Sequence, residues 1–332
     1  MHLSRLAILG LALFFSGASL APAFAQKVEP KRPTLAKGFV GEYDVKYVPN
    51  GDDAQALDIF YPETPAEKPL PLLVWIHGGG WVGGSKANAP YLSQLPRGYV
   101  VASVEYRFSQ KAPFPAQIQD CQAAIRFLRA NAKKYSINPE KIGVGGASAG
   151  GHLSALVATN GGKNTFPKIG GNEDQSDRVQ CVCDIFGPTN FWTVIKQAEE
   201  DKNVKNIFKW NAGDPYSKLI AAKLGEDKEK CEAVSPVTYV SKDNPPFLIL
   251  HGDHDTLVPY AQSEELHELL KKAGVDSTLQ KLPGAGHGGA SFALPKVILL
   301  AVAFFDKHLK GVDAKIEAIP ESELAVKPAT PK

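Results

Sequence analysis

The chain is 332 residues long and carries 37 Lys and Arg against 35 Asp and Glu, a formal net charge of +2 at pH 7. Apolar residues make up 44% and charged residues 22%, proportions that exclude a disordered, collagen-like or coiled-coil polymer. Charge this close to balance leaves no general attraction to nucleic acid or anionic lipid, and four Cys in a chain of this length are neither a disulfide framework nor spaced as a zinc site.

From the start of the chain, His2 and Arg5 precede an apolar run at 6–15, and a small-residue stretch then ends in Ala23-Phe24-Ala25, an A-x-A cleavage pattern. Residues 1–25 are expected to be a secretory signal peptide, because the run is short for a span of ~20 residues and Pro22 breaks it. Residues 26–37 hold Pro30, Pro33 and four Lys or Arg and read as a linker. Residues 43–48 and 56–61 alternate like an antiparallel pair, with Asn50-Gly51 as the turn signal between them. Residues 72–76, 99–104, 142–145, 179–186 and 247–250 are apolar runs expected of buried strands, and 277–282 is a shorter β-like run. Between them, 115–135 places Ile118, Cys121, Ile125, Leu128 and Ala132 on one helical stripe, and 260–273 is an amphipathic helix stopped by Gly274. A last helix, 291–309, turns Leu294, Val297, Ile298, Ala301, Phe304 and Phe305 inward. Residues 312–332, rich in Pro, Glu, Lys and Ala, are expected to be a disordered tail, leaving 38–311 as one folded domain. Buried strands alternating with amphipathic helices predict an α/β fold with a mostly parallel sheet and helices on both faces, where functional residues collect at the carboxyl ends of the strands.

The residues after those runs fit that rule. Gly146-Ala147-Ser148-Ala149-Gly150 is G-x-S-x-G between a strand and a helix, the context of a nucleophilic Ser on a strained turn. His77-Gly78-Gly79-Gly80-Trp81 follows 72–76; its glycines let backbone N–H groups reach a developing oxyanion, and Gly79, Gly80 and Ala149 are the expected donors. The G-x-x-x-x-G-K-[ST] spacing of a phosphate loop is absent, and His77 reads as a residue orienting the loop. Asp255 and His287 follow the next strands, so Ser148, Asp255 and His287 stand in nucleophile, acid, base order with gaps of 107 and 32 residues. Asp253 competes with Asp255; the distal carboxylate has the better reach, and Asp253 reads as a loop hydrogen-bonding residue. Asp253, His254 and Asp255 are adjacent and point apart, which argues against a metal site. No cofactor is expected.

Taken together, the motifs resemble the α/β-hydrolase superfamily, in particular secreted carboxylesterases grouped with bacterial feruloyl and acetyl-xylan esterases and the hormone-sensitive-lipase-like esterases. The resemblance covers about 57–309. It is carried by the HGGGW loop, Ser103-Val104-Glu105-Tyr106-Arg107, Phe114-Pro115-Ala116-Gln117, the run from Gly146 to His152, Phe186-Gly187-Pro188-Thr189, Ser235-Pro236-Val237, the run from His251 to Asp255, and His287. It implies Ser148 as nucleophile, His287 as base and Asp255 as its orienter. It also implies Gly79, Gly80 and Ala149 as oxyanion donors, and hydrolysis of small esters or of acyl groups on plant polysaccharide. The same triad would serve a small-amide hydrolase or a prolyl-oligopeptidase-like peptidase, and a scaffold without catalysis would be a binding module. Residues 190–235, with Phe191, Trp192, Phe208, Trp210 and Tyr216, are expected to form a cap, its aromatics either packing the cap down or meeting substrate. Trp81 is expected to line the acyl pocket. At most one disulfide is expected, made by Cys231 with Cys181 or Cys183, with four free thiols the alternative; Cys121 sits on a buried stripe.

Overall fold

The computed structural model describes residues 32–204 and 213–324. The expected signal peptide and the first half of the linker, 26–31, lie outside the described residues, as do Phe208, Trp210 and the last eight residues. All the elements below belong to the unit Pro33–Lys332. In chain order the strands are β1 (Phe39–Lys46), β2 (Ala56–Pro62), β3 (Leu70–Ile76), β4 (Val100–Val104), β5 (Ile137–Ala147), β6 (Cys181–Ile185), β7 (Phe247–Gly252) and β8 (Ser277–Leu282). The helices are α1 (Ala116–Ala130), α2 (Ala149–Asn160), α3 (Val194–Glu200), α4 (Pro215–Ile220), α5 (Lys228–Val234), α6 (Ala261–Lys272) and α7 (Pro295–Phe305).

The strands form one sheet in the order β1-β2-β4-β3-β5-β6-β7-β8. β1 and β2 pair antiparallel, β2 meets β4 antiparallel, and β4 onward runs parallel. The predicted strand pattern is therefore the observed one, and the fold is the α/β-hydrolase fold. The two-residue period of a strand sends alternate side chains to opposite layers. Leu72, Val74, Ile142, Val144, Val182 and Ile249 join α1, α2, α6 and the cap in one core, while Leu73, Cys181, Cys183, Leu248 and Leu250 join α7 in the other. β5 lies at the centre of the sheet with β3 beside it, so the loops leaving these two strands meet at the carboxyl edge.

The end of the chain departs from expectation. Residues 312–324 do not hang free but lie along β8, the edge strand. Gln280 binds Ile319 twice, its Oε1 accepting the Ile319 N–H at 2.6 Å and its Nε2 donating to the Ile319 carbonyl at 3.3 Å. Thr278 Oγ1 donates to the Ile316 carbonyl at 3.4 Å. Leu324 is buried in the α7 layer, with Ile316 and Ile319 packed against it. Leu324, Ile316 and Ile319, together with the side-chain hydrogen bonds of Gln280 and Thr278, cover the edge of the sheet. On α7 the inward stripe is Val297, Leu300, Phe304 and Phe305, whereas Ile298 is 46% exposed and faces outward.

Between β6 and β7 the insert supplies α3, α4 and α5. Asp214 caps α4 through the Ser217 N–H at 2.9 Å, and Asp227 caps α5 through the Lys230 N–H at 3.1 Å. No described helix is long and apolar enough to cross a membrane.

Candidate active site

The site begins at the junction of β5 and α2. Ser148 has φ 56° and ψ −122°, a region bulky L residues avoid, and it is held there from both sides. Its N–H donates to the Ile185 carbonyl at 2.9 Å, and its carbonyl accepts the His152 N–H at 2.9 Å. Gly146 and Gly150 leave no room for a Cβ: on either, it would strike the Ile76 carbonyl. The turn thus packs directly against the backbone of β3, which aims Ser148 Oγ off the sheet edge.

The loop after β3 is braced by His77. Its Nε2 lies 2.6 Å from Glu105 Oε1 and its Nδ1 2.7 Å from the Gly78 carbonyl, and its ring stacks on Tyr106 at 4.5 Å. Glu105 Oε2 also accepts the Lys86 N–H at 3.1 Å. Gly79 (φ 114°) and Gly80 (φ 59°) adopt backbone conformations that L side chains rarely take. Neither of their amides has an acceptor among the described residues, and the Ala149 N–H is one of the first-turn donors that an α-helix leaves unpaired. These are the three amides expected from sequence to serve as donors, and they are free of backbone acceptors among the described residues.

Opposite the elbow, His287 and Asp255 converge. His287 Nε2 lies 2.8 Å from Ser148 Oγ, and its Nδ1 lies 2.7 Å from Asp255 Oδ2. With Nδ1–H donated to the carboxylate, Nε2 is the acceptor for the serine hydroxyl. Asp255 is 1% exposed, and its Oδ1 accepts the N–H groups of Leu257 at 2.8 Å and Val258 at 2.9 Å. Burial alone would push its carboxyl up, but hydrogen bonds from His251 and His287 outweigh it and hold the group well below the usual carboxylate range. His251 is therefore a second partner of the acid. Its Nε2 lies 3.3 Å from Asp255 Oδ2 and 3.1 Å from the Val258 carbonyl, two acceptors that require Nε2–H, while Nδ1 faces Ser263 Oγ at 2.7 Å. Asp253 does what was foreseen for the competing carboxylate: its Oδ1 accepts the Gly284 N–H at 2.7 Å.

Trp81 departs from its expected place on the acyl pocket. It is 2% exposed, and its indole N–H donates to His152 Nδ1 at 3.1 Å while the ring packs on Phe191 and Tyr216. It ties the loop after β3 to the cap, so no face is left to line a pocket. Burial lowers the His152 ring to about 4, which keeps Nδ1 an acceptor for that indole. Of the cap aromatics, Phe191 and Tyr216 are core, while Trp192 is 39% exposed. An apolar cavity of about 360 Å³ on the α7 face, lined among others by Trp75, Cys183, Leu250 and Phe305, includes none of the three triad positions. Glu105 and Phe186 were visible only inside longer motifs, because nothing local marks a residue that acts by bracing another. Among the described residues no cluster of His, Cys, Asp or Glu is arranged to hold a metal ion.

The geometry has counterparts. The family model BD-FAE matches residues 57–270. The esterase LipC of Mycobacterium tuberculosis is 32% identical over 72% of this chain and 58% of its own length. LipM of the same organism, a probable carboxylic ester hydrolase, is 30% identical over 86% of this chain and 67% of its own. The chain spans about three fifths of the length of the first curated relatives it matches. Among solved structures, a truncated form of a carbohydrate esterase from gut microbiota superposes with a TM-score of 0.74 at 30% identity, covering 83% of this chain and 99% of that one.

Proposed function

From its membership of the BD-FAE family, within the α/β-hydrolase carboxylesterases, we propose that this chain is a serine esterase working through an acyl-enzyme, with Ser148 as nucleophile, His287 as base and Asp255 as its orienter. The observation that carries the reading is the unbroken line from Ser148 Oγ through His287 to Asp255, at 2.8 and 2.7 Å. In the first step Ser148 Oγ attacks the ester carbonyl carbon as its proton passes to His287 Nε2. Asp255 stays ionised and stabilises the imidazolium. The carbonyl oxygen, now an oxyanion, accepts hydrogen bonds from the amides of Gly79, Gly80 and Ala149. Collapse breaks the ester C–O bond, and the departing alkoxide takes the proton from His287. Water, deprotonated by the same His287, then releases the acid and regenerates Ser148.

The substrates we infer are small esters or acyl groups on plant polysaccharide. The likeness to a carbohydrate esterase supports that class, as does the pattern of residues 1–25, which we read as an export signal. A panel of short and long p-nitrophenyl esters, methyl ferulate, acetylated xylan and the matching amides tests the class; turnover of the amides alone would overturn it. Ser148→Ala should keep the fold and lose activity on the order of 10⁴-fold or more. Wild-type labelling of that variant by a fluorophosphonate would remove Ser148 from the role. N-terminal sequencing of the exported protein should begin at Gln26.

A further inference from the structure

Asp184 near the end of β6 is fully buried, yet it makes no ion pair among the described residues. Its Oδ1 accepts the Gly187 N–H at 3.0 Å and lies against Gly151 in the first turn of α2, and its Oδ2 has no hydrogen-bond partner. A buried carboxyl so poorly provided for is costly, and each such group in a native fold calls for an explanation. The explanation lies in what it holds. The turn of Ile185, Phe186 and Gly187 serves the candidate site at two points. The Ile185 carbonyl accepts the Ser148 N–H at 2.9 Å, and the Phe186 ring lies 4.6 Å from that of His287. Phe186 itself has φ 44°, a conformation that persists only where its neighbours over-determine it. Its own N–H is held by the Leu250 carbonyl at 2.8 Å, and the N–H of the next residue is held by Asp184. Two imidazoles near this turn are committed elsewhere, His152 to Trp81 and the Val234 carbonyl, and His251 to Asp255 and Ser263.

We propose that Asp184 is a positioning residue for the esterase reaction, its carboxyl oxygen clamping the turn that seats both the Ser148 backbone and the His287 ring. This rests on the triad reading above and extends it to a group that touches neither substrate nor the reacting atoms. Burial pushes the carboxyl up to about 7, the Gly187 N–H opposing, so the clamp works through an acceptor and not through a permanent charge.

The test compares Asp184→Asn, which keeps an acceptor oxygen, with Asp184→Leu, which keeps the volume and loses it. Two rates are read: kcat and KM on p-nitrophenyl acetate, and the second-order labelling of Ser148 by a fluorophosphonate. The Leu variant, folded by circular dichroism, should lose kcat by roughly 30-fold or more with KM within about 3-fold, and labelling should slow in parallel. The Asn variant should stay within about 3-fold of wild type on both. A folded Leu variant with wild-type kcat and labelling overturns the proposal, as does an Asn variant that falls as far as Leu. If Leu does not fold, Asp184→Ser, too short to reach Gly187, is read by the same criteria. Should wild type turn over no ester, the hydrolysis reading falls and the labelling rates alone decide on Asp184.

Discussion

Two carboxylates in one loop, Asp253 and Asp255, carry the same charge in sequence and end in different surroundings. Asp253 is partly exposed and holds one backbone amide, whereas Asp255 is buried and gathers two amides and two imidazoles. Asp255→Asn should therefore lower kcat on the order of 10³–10⁴-fold, since the amide cannot enforce the His287 tautomer, while Asp253→Asn should change it by less than about 3-fold. Steady-state kinetics of the pair decide between them, and the reverse ranking would reassign the orienter. Asp184 makes a pH prediction of opposite sense to an ordinary acid. Its carboxyl is raised from 3.8 to about 7 by burial. The unfolded chain thus releases this proton first as pH rises, and the stability owed to the neutral form is full below the unfolded value and is lost as pH climbs through the folded one. Melting temperatures of wild type and Asp184→Asn should accordingly diverge in favour of Asn between pH 4 and 7. A gap independent of pH would show that the group does not titrate there.

Among the elements, the Ser148 turn and the chain end follow opposite logic. At the turn, function demands close approach, so the glycines before and after Ser148 give up side chains and let α2 start against the β3 backbone. At the chain end, stability is added by covering an edge: Leu324, Ile316 and Ile319 close over β8 and the α7 layer. Truncation after Gly311 should remove that cover and cost on the order of 2–3 kcal/mol, a fall of roughly 5 °C in Tm, while leaving the spacing of Ser148, His287 and Asp255 intact. An unchanged melting temperature would mean that 312–324 contribute nothing to the fold. The cap shows the same principle from the other side, with Trp81, Phe191 and Tyr216 forming the aromatic seam that joins it to the sheet.

Across the whole molecule the sheet divides the cysteines. Cys181 and Cys183 share one face of β6 and belong to the α7 layer, while Cys121 and Cys231 are buried in the other core. A bridge from Cys231 to either strand residue would have to cross the sheet, and all four are free. Burial raises all four thiols, so they are poor nucleophiles in the native state. Denaturation without reductant should release four titratable thiols that react only slowly in the native protein; two missing thiols would reinstate a disulfide.

The sequence alone determined what local chemistry and period can specify. Alternation marked the antiparallel start, apolar runs marked the parallel strands, and the motifs at their ends placed Ser148, Asp255 and His287 in the chain order that brings them to one edge. These signals are short-range, and they repeat in every turn that needs the same backbone. What tertiary structure decided was company. It buried Trp81 against His152 where its position beside the loop had pointed to a pocket, and it gave Asp255 a second imidazole from His251. It set Cys231 across the sheet from Cys181 and Cys183, and laid the polar end of the chain along β8. Each of these outcomes depends on residues tens of positions away meeting in space, and burial and hydrogen-bond partnership belong to that meeting, not to any stretch of chain read by itself.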